Sequence, residues 1–543
     1  MENQIEIYDC TLREGEQAEG ARFNLNSRIR LCEELDNFGV DYIELGWPIA
    51  SQEIFDSFKP ALENVKKAKI VAFGSTSIRN NPDEDENLNS IVNVKVRYAC
   101  IFGKSSMIHV KKQLGLTEEE NLDKIFNSIK FLRKRGIAVF YDAEHYFDAF
   151  KENKEYSIRT LIKALEAGAE RIILCDTNGG ILPYEAGKIV KETKELLNKQ
   201  GFDAKLGVHF HNDCGLALAN TLACLPYINQ VQGTINGIGE RIGNLNFSEF
   251  LPVYVNKIGR GLKIDLRNLK KLNENAFRFA GLNVPERRAF VGDLAFAHKG
   301  GVHIDATNKG ASYEHANPED FGNKRTILLN TLGGRSSIVH IAEQFGYNLD
   351  KNNPDTKERI RRLFEELRRH EINGYRLGAI KAEQFLLIEK YFGENNLDFK
   401  IKEWNINSEF KNSVEKSSFY VSCSLNNEII EEETSVEGGP VDAAFKTLKK
   451  ILMRKYPEIE KLNIMDFHVS IALQHGEESA VRTKIDFLDT KNKRFSVSPN
   501  TKKDEVFADG EEFSTIGVDR NIIGSAVEAL AKGFRYYLIR NKL

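Results

Sequence analysis

One rhythm constrains this sequence more than any other feature. Over the first 235 residues, short apolar runs alternate with amphipathic stretches at a repeat of roughly 30 residues. The strand-like runs are Ile5–Tyr8, Tyr42–Gly46, Ile70–Phe73, Val96–Phe102, Ile137–Tyr141, Arg171–Cys175, Leu206–His211 and Gln230–Thr234. Between them stand helical patterns, among them Arg28–Phe38, Thr117–Lys134, Ser157–Ala167, Tyr184–Asn198 and Leu216–Leu225. Eight β-then-α units predict an α/β fold, a (β/α)8 TIM barrel of about 250 residues. A doubly wound open sheet would show the same alternation. The placement of chemistry separates the two, because a barrel gathers its functional side chains just after the strands.

Past the barrel the rhythm changes. The 543 residues allow three to four domains at about 150 residues each. We read residues 1–260 as the barrel, 261–417 as mostly helical linker subdomains contributing to the active site, and 418–543 as a C-terminal α+β effector-type domain. Asp355–His370 and Ala382–Tyr391 look helical, whereas Asn395 to Ser418 is polar, lacks periodicity and reads as a linker. Phe419–Leu425, His468–Leu473 and Val481–Leu488 read as strands, and Val441–Lys455 and Ile522–Ile539 as helices.

Composition removes several functional classes. With 76 basic and 79 acidic residues the net charge is −3, so nothing suggests the clustered basic excess of a nucleic-acid binder. Seven cysteines form no C-x-x-C pair, which fits a reducing compartment better than a disulfide framework or cysteine zinc site. Met1 to Glu6 is polar and lacks the apolar core of a secretory signal. No apolar run is long enough to span a bilayer. A soluble, cytoplasmic chain is the expectation, with no membrane partner.

Three segments carry chemistry. Val208-His209-Phe210-His211-Asn212-Asp213 places two imidazoles at i and i+2, on one face of a strand. Such a pair suits a divalent metal, or two hydrogen-bonded histidines without one; its place at the end of strand seven favours ligands. Tyr8-Asp9-Cys10-Thr11-Leu12-Arg13-Glu14-Gly15-Glu16-Gln17 follows strand one. A carboxylate there would complete a mixed nitrogen and oxygen shell, and the neighbouring guanidinium could stabilise an oxyanion or hold a carboxylate. Gly237-Ile238-Gly239-Glu240-Arg241-Ile242-Gly243-Asn244 follows strand eight. It lacks the context of a dinucleotide loop, and Asn244 can offer an amide oxygen to a metal.

With these segments in this order, the chain resembles the DRE-TIM metallolyase superfamily. More narrowly it is similar to the 2-isopropylmalate, homocitrate and citramalate synthases, and most of all to the long-type (R)-citramalate synthases. Glu44-Leu45-Gly46-Trp47-Pro48, Tyr141-Asp142-Ala143-Glu144-His145-Tyr146-Phe147-Asp148 and Ala295-Phe296-Ala297-His298-Lys299-Gly300-Gly301-Val302-His303 support this. The resemblance implies an acyltransferase that condenses acetyl-CoA with pyruvate and water, releasing citramalate and CoA, in isoleucine biosynthesis. It implies a divalent metal ion (Mg, Mn or Zn) held by Glu14, His209 and His211, with Asn244 nearby or direct. The family often has Asp where this chain has Glu14. By the same resemblance Arg13 sits beside the ketone oxygen, Thr177 binds the keto-acid carboxylate and Gln17 lines the pocket. Glu144 and His303 belong to the proton-transfer machinery, with Tyr313 as a weaker catalytic candidate. In relatives the loop bearing the histidine that matches His303 reaches the other subunit, which implies a homodimer.

The last block resembles the small-molecule effector domain of these synthases, through Glu437-Gly438-Gly439-Pro440-Val441-Asp442-Ala443 and Gly517-Val518-Asp519-Arg520-Asn521-Ile522-Ile523. Isoleucine is the effector this suggests, although Gly524 and Val527 stand where the pattern has Glu and Trp. The alternatives are 2-isopropylmalate or homocitrate synthase, which differ in the keto acid, and an aldolase or lyase of the same superfamily. A non-catalytic binding protein is the remaining class.

Overall fold

The computed structural model describes residues 5–299, 313–331, 334–350, 352–394, 397–473, 479–490 and 511–542. The chain divides into two compact units. One comprises Met1–Phe296 with Ala316–Lys324, the other Ala297–His315 with Arg325–Leu543.

The first unit is a closed barrel of eight parallel strands in sequential order. They are β1 (Glu6–Asp9), β2 (Tyr42–Gly46), β3 (Lys69–Ser75), β4 (Tyr98–Lys104), β5 (Ala138–Glu144), β6 (Arg171–Asp176), β7 (Leu206–Phe210) and β8 (Gln230–Gly233), and β8 closes on β1. The eight apolar runs each became a strand. β3, β4 and β5 run two or three residues further than their apolar cores, to Ser75, Lys104 and Glu144. Parallel pairing continues through those polar ends, with Phe102 opposite Asp142 and Lys104 opposite Glu144.

Alternation along the strands sorts the side chains into two layers. Ile7, Ile43, Ile70, Ala72, Ala99, Ile101, Val139, Ile172, Leu174, Leu206, Val208 and Val231 belong to one large core shared with the surrounding helices. The intervening positions face the barrel axis, where Tyr8, Tyr42, Val71, Phe73, Cys100 and Phe140 form a separate buried cluster. Further along the same inward faces come Glu44, Asp142, Glu144, His209 and Gln232, so polar chemistry lies above an aromatic plug.

Local sequence explains the helix boundaries. Asn24 caps Leu25–Phe38 by accepting from the Ser27 amide, and Gly39 ends it at φ 103°. Thr117 and Glu120 form a reciprocal capping box at the start of Glu118–Lys134. Pro183 occupies the first turn of Pro183–Lys199, where its missing N–H costs nothing.

The second unit contains the helices Gly334–Gln344, Pro354–Ile372 and Lys381–Phe392. It also holds two antiparallel three-stranded sheets, Phe399–Lys411, Val414–Leu425 and Glu428–Glu437 in one, and Leu462–Leu473, Ala480–Asp489 and Glu511–Asp519 in the other. Helices Pro440–Met453 and Ile522–Arg540 pack with them in a common core. The linker reading of Asn395 to Ser418 is corrected: most of it is the edge strand Phe399–Lys411 and the start of its partner. A register shift between Ile401 and Glu403 breaks the alternation, and the solvent-facing half is polar, which hid the period-two signal. No helix among the described residues is long and apolar enough to cross a membrane.

The loop after β8 shows how glycine shapes the barrel mouth. Gly243 has φ +95°, and a Cβ there would lie 1.9 Å from the Gly237 carbonyl oxygen. The chain doubles back at this point, bringing Asn244 into a bridge with His211. Gly243→Ala should therefore lower unfolding free energy by about 1–3 kcal/mol, measured by urea denaturation. An unchanged midpoint and slope would show that the loop tolerates a side chain here.

Candidate active site

The site is assembled at the carboxyl ends of the strands. Just past β1, residues Thr11–Glu14 form a single helical turn, tied down where the Asp9 carboxylate accepts from both the Thr11 amide and hydroxyl. That turn aims Arg13 and Glu14 inward. Arg13 Nε donates to Glu44 Oε1 at 2.5 Å, another guanidinium nitrogen pairs with Glu14, and its Cζ lies 3.9 Å from the centre of the Phe73 ring. Glu44 is wholly buried on β2 and also accepts from the Tyr8 hydroxyl at 2.5 Å. Burial alone would raise the Glu14 pKa, but Arg13 and then His209 outweigh it and hold the carboxyl below its usual range.

His209 lies on β7 and His211 one residue beyond it, with ring centres 5.2 Å apart. His209 Nδ1 meets Gln232 Oε1 at 2.9 Å, from the adjoining position of β8. An N–H donated to that amide oxygen leaves the Nε2 lone pair free to face the mouth. His209 Nε2 is 3.4 Å from Glu14 Oε1 and 3.1 Å from the Asn244 side-chain amide. Burial pushes His211 down to about 4, so its ring is neutral near pH 7.

The donor atoms of Glu14, His209 and His211 lie within 4.8 Å of one another. Glu14 Oε2, His211 Nδ1 and Asn244 Oδ1 are buried without a hydrogen-bond partner. Buried polar atoms of this kind normally find partners. One carboxylate and two imidazoles converging with orphaned acceptors match a divalent cation's preference for mixed oxygen and nitrogen ligands. The residues present fit a metal.

A cavity of about 340 Å³ adjoins this cluster. Of the residues expected from sequence, Arg13, Glu14, Gln17, Glu144, Thr177, His209 and His211 line it, and Asn244 touches His209. Thr177 follows β6, and its hydroxyl accepts from the His145 amide at 2.8 Å. Arg241 binds both Asp213 oxygens, at 2.7 and 2.9 Å, and reaches the Thr177 carbonyl at 2.9 Å. Tyr313 belongs to the second unit and is 59% exposed there. His303 lies outside the described residues.

Several wall residues were given no role from sequence, although Trp47 and Asp142 stand inside segments that carry the resemblance. Trp47, Phe73 and Phe102 line the cavity beside Arg13, and their rings pack edge-on or stacked at 5.5–6.0 Å. Trp47 is held by Asn87, which accepts from its indole at 2.7 Å. Asp142 also lines the cavity, and burial raises it to about 6. The available signal was a lone polar residue inside an apolar strand, as at Glu44 and Gln232. Burying such a group is costly unless it has a partner.

Comparison with known proteins agrees with this arrangement. The HMGL-like family matches residues 4–275, the homocitrate synthase post-HMGL domain-like family residues 290–369, and the LeuA allosteric (dimerisation) domain residues 379–538. An (R)-citramalate synthase of Aquifex aeolicus (strain VF5) is 39% identical, over 100% of this chain and 99% of its own. Those of Sulfolobus acidocaldarius and Geobacter sulfurreducens are 36% and 35% identical, each over 99% of this chain and 98% of their own. With an eight-stranded barrel, a buried Arg13–Glu14–His209–His211 cluster at its mouth and full-length similarity of this degree, the chain belongs to the (R)-citramalate synthase family.

Proposed function

We propose that this enzyme condenses acetyl-CoA with pyruvate and water to give (R)-citramalate and CoA, as a step towards isoleucine. The observation that carries this reading is the buried cluster of Arg13, Glu14, His209 and His211 beside a small, aromatic-walled cavity. Glu14, His209 and His211 would hold a divalent cation (Mg, Mn or Zn), with Asn244 as an adjacent or fourth ligand. The chemistry a bound cation supplies here is polarisation of the keto oxygen.

The chain's own groups do the rest. Arg13, fixed by Glu44 and by the Phe73 face, donates to the oxygen that gains charge as the new carbon–carbon bond forms. Thr177 binds the pyruvate carboxylate, and Gln17 completes that end of the pocket. Glu144 takes part in moving the methyl proton of acetyl-CoA, together with His303 and with Tyr313 as a further candidate. The methyl carbon, stripped of its proton, attacks the keto carbon. Water then cleaves the thioester, and the thiol of CoA leaves. Trp47, Phe73 and Phe102 give the cavity an apolar, aromatic wall beside Arg13, which supports a keto acid with a small apolar group such as pyruvate. The match to an allosteric (dimerisation) domain supports a homodimer, with isoleucine as the proposed effector.

A thiol-release assay with a series of 2-keto acids tests the substrate. Pyruvate should exceed 2-ketoisovalerate and 2-ketoglutarate in kcat/KM by about 10-fold or more, since misfitting groups in an apolar pocket cost on that order. The opposite preference overturns the assignment. Glu14→Ala and His209→Ala should each lower metal content in the purified protein along with activity. Normal occupancy in both variants would remove these residues from the ligand set. Arg13→Lys keeps the charge but loses the planar fork, and should reduce kcat/KM by about 100-fold. An unaltered value would mean that Arg13 does not meet the developing oxyanion.

A further inference from the structure

Lys104 took no part in the motif reading, yet it is the ammonium placed against Glu144. It is the last residue of β4 and lies in register with Glu144, the last of β5. Strand alternation turns both side chains towards the barrel axis, beyond Phe102 and Asp142. Lys104 Nζ is 2.5 Å from Glu144 Oε2, and Lys104 is only 7% exposed. Its backbone is pinned as well, since its carbonyl accepts from Asn121 at 2.9 Å and the next amide, Ser105 N, donates to the Glu144 carbonyl at 3.2 Å. A buried ammonium costs several kcal/mol unless paired, so an inward-facing lysine at a strand end requires a reason.

We infer that Lys104 is a positioning residue for the proton-transfer step: it pairs with the Glu144 carboxylate and holds it in one orientation at the edge of the substrate cavity. This rests on the reading of Glu144 as part of the proton-transfer machinery and adds the ammonium that pairs with it. Glu144 lines the cavity with Arg13, Thr177 and His209, whereas Lys104 does not, so Lys104 acts through its partner.

His145, Tyr141 and Cys175, the nearest of the other titratable groups around Glu144, add no positive charge near pH 7. His145 Nε2 lies 3.7 Å from Glu144 Oε1, but burial, with help from His109 and Lys104, pushes its pKa down to about 4. The His109 ring stacks on it at 3.8 Å. Tyr141 on the same strand and Cys175 on β6 are buried and stay protonated. Asp148, which also faces His145, adds negative charge and no cation. Among the described residues, Lys104 is the ammonium or guanidinium at ion-pair distance from this carboxylate. A cation in contact favours the charged carboxylate, so a carboxylate that must be ionised to accept a proton would lose that form at a higher pH once the lysine is gone.

The test is the pH profile of kcat for the full-length protein with acetyl-CoA and pyruvate, at saturating divalent metal. Lys104→Met should lower kcat by about 10- to 100-fold at neutral pH. It should also move the acid limb of the profile up by about 1–3 pH units, with pyruvate KM and metal content near those of the parent. Lys104→Arg should return the limb towards its original position. If the Met variant fails to fold, Lys104→Gln gives the same comparison with a polar side chain. A fall in kcat with an unmoved acid limb, or an equal loss in Lys104→Arg and Lys104→Met, would make the lysine merely structural and overturn the inference. Glu144→Gln separates the two levels. If it is nearly inactive while Lys104→Met keeps the parental limb, only the role of Lys104 fails. If Glu144→Gln retains full activity, the reading of Glu144 falls first and takes this inference with it.

Discussion

A guanidinium buried between two carboxylates organises this site. Arg13 reaches Glu44 on one side and Glu14 on the other, with the Phe73 ring beneath it. Burying any of these charges alone would be prohibitive, and removing one would strand the others. The arrangement is consistent only if β1, its following turn, β2 and β3 keep their relative positions, so the barrel wall and the site specify each other. Glu44 contributes without lining the cavity: it fixes the direction in which the guanidinium points.

The barrel achieves this by dividing labour between the two faces of each strand. Outward positions are aliphatic and bind the helical shell, while inward positions carry aromatic rings lower down and polar groups near the mouth. A residue such as Gln232 is therefore part of the scaffold and part of the chemistry at once. It sits beside His209 in register, with its amide oxygen 2.9 Å from the ring's Nδ1.

Much of this was legible in the sequence, for physical reasons. Hydrophobic period and spacing are what closing a parallel barrel requires, so the eight units could be read directly. The i, i+2 histidines were recognisable because strand geometry alone places them together. The ends of β3, β4 and β5 were not, since their ladders continue through residues with no apolar signal, and Lys104 was hidden for that reason. The edge strand Phe399–Lys411 was concealed by its shifted register and polar face. Glu44 and Gln232 were visible as polar residues in apolar runs, but only the register of neighbouring strands reveals which groups they serve.

The Arg241 side chain ties together loops from three successive strands. Through Asp213 and the Thr177 carbonyl it joins the segments after β6 and β7 to its own loop after β8, the same loop that brings Asn244 to His211 and His209. Thr177 and two of the proposed cation-site residues, His211 and Asn244, thus lie on loops joined by one side chain. The rim on this side of the cavity is braced at a single point, where the loop carrying Thr177 and the loop leading to Asn244 share one guanidinium.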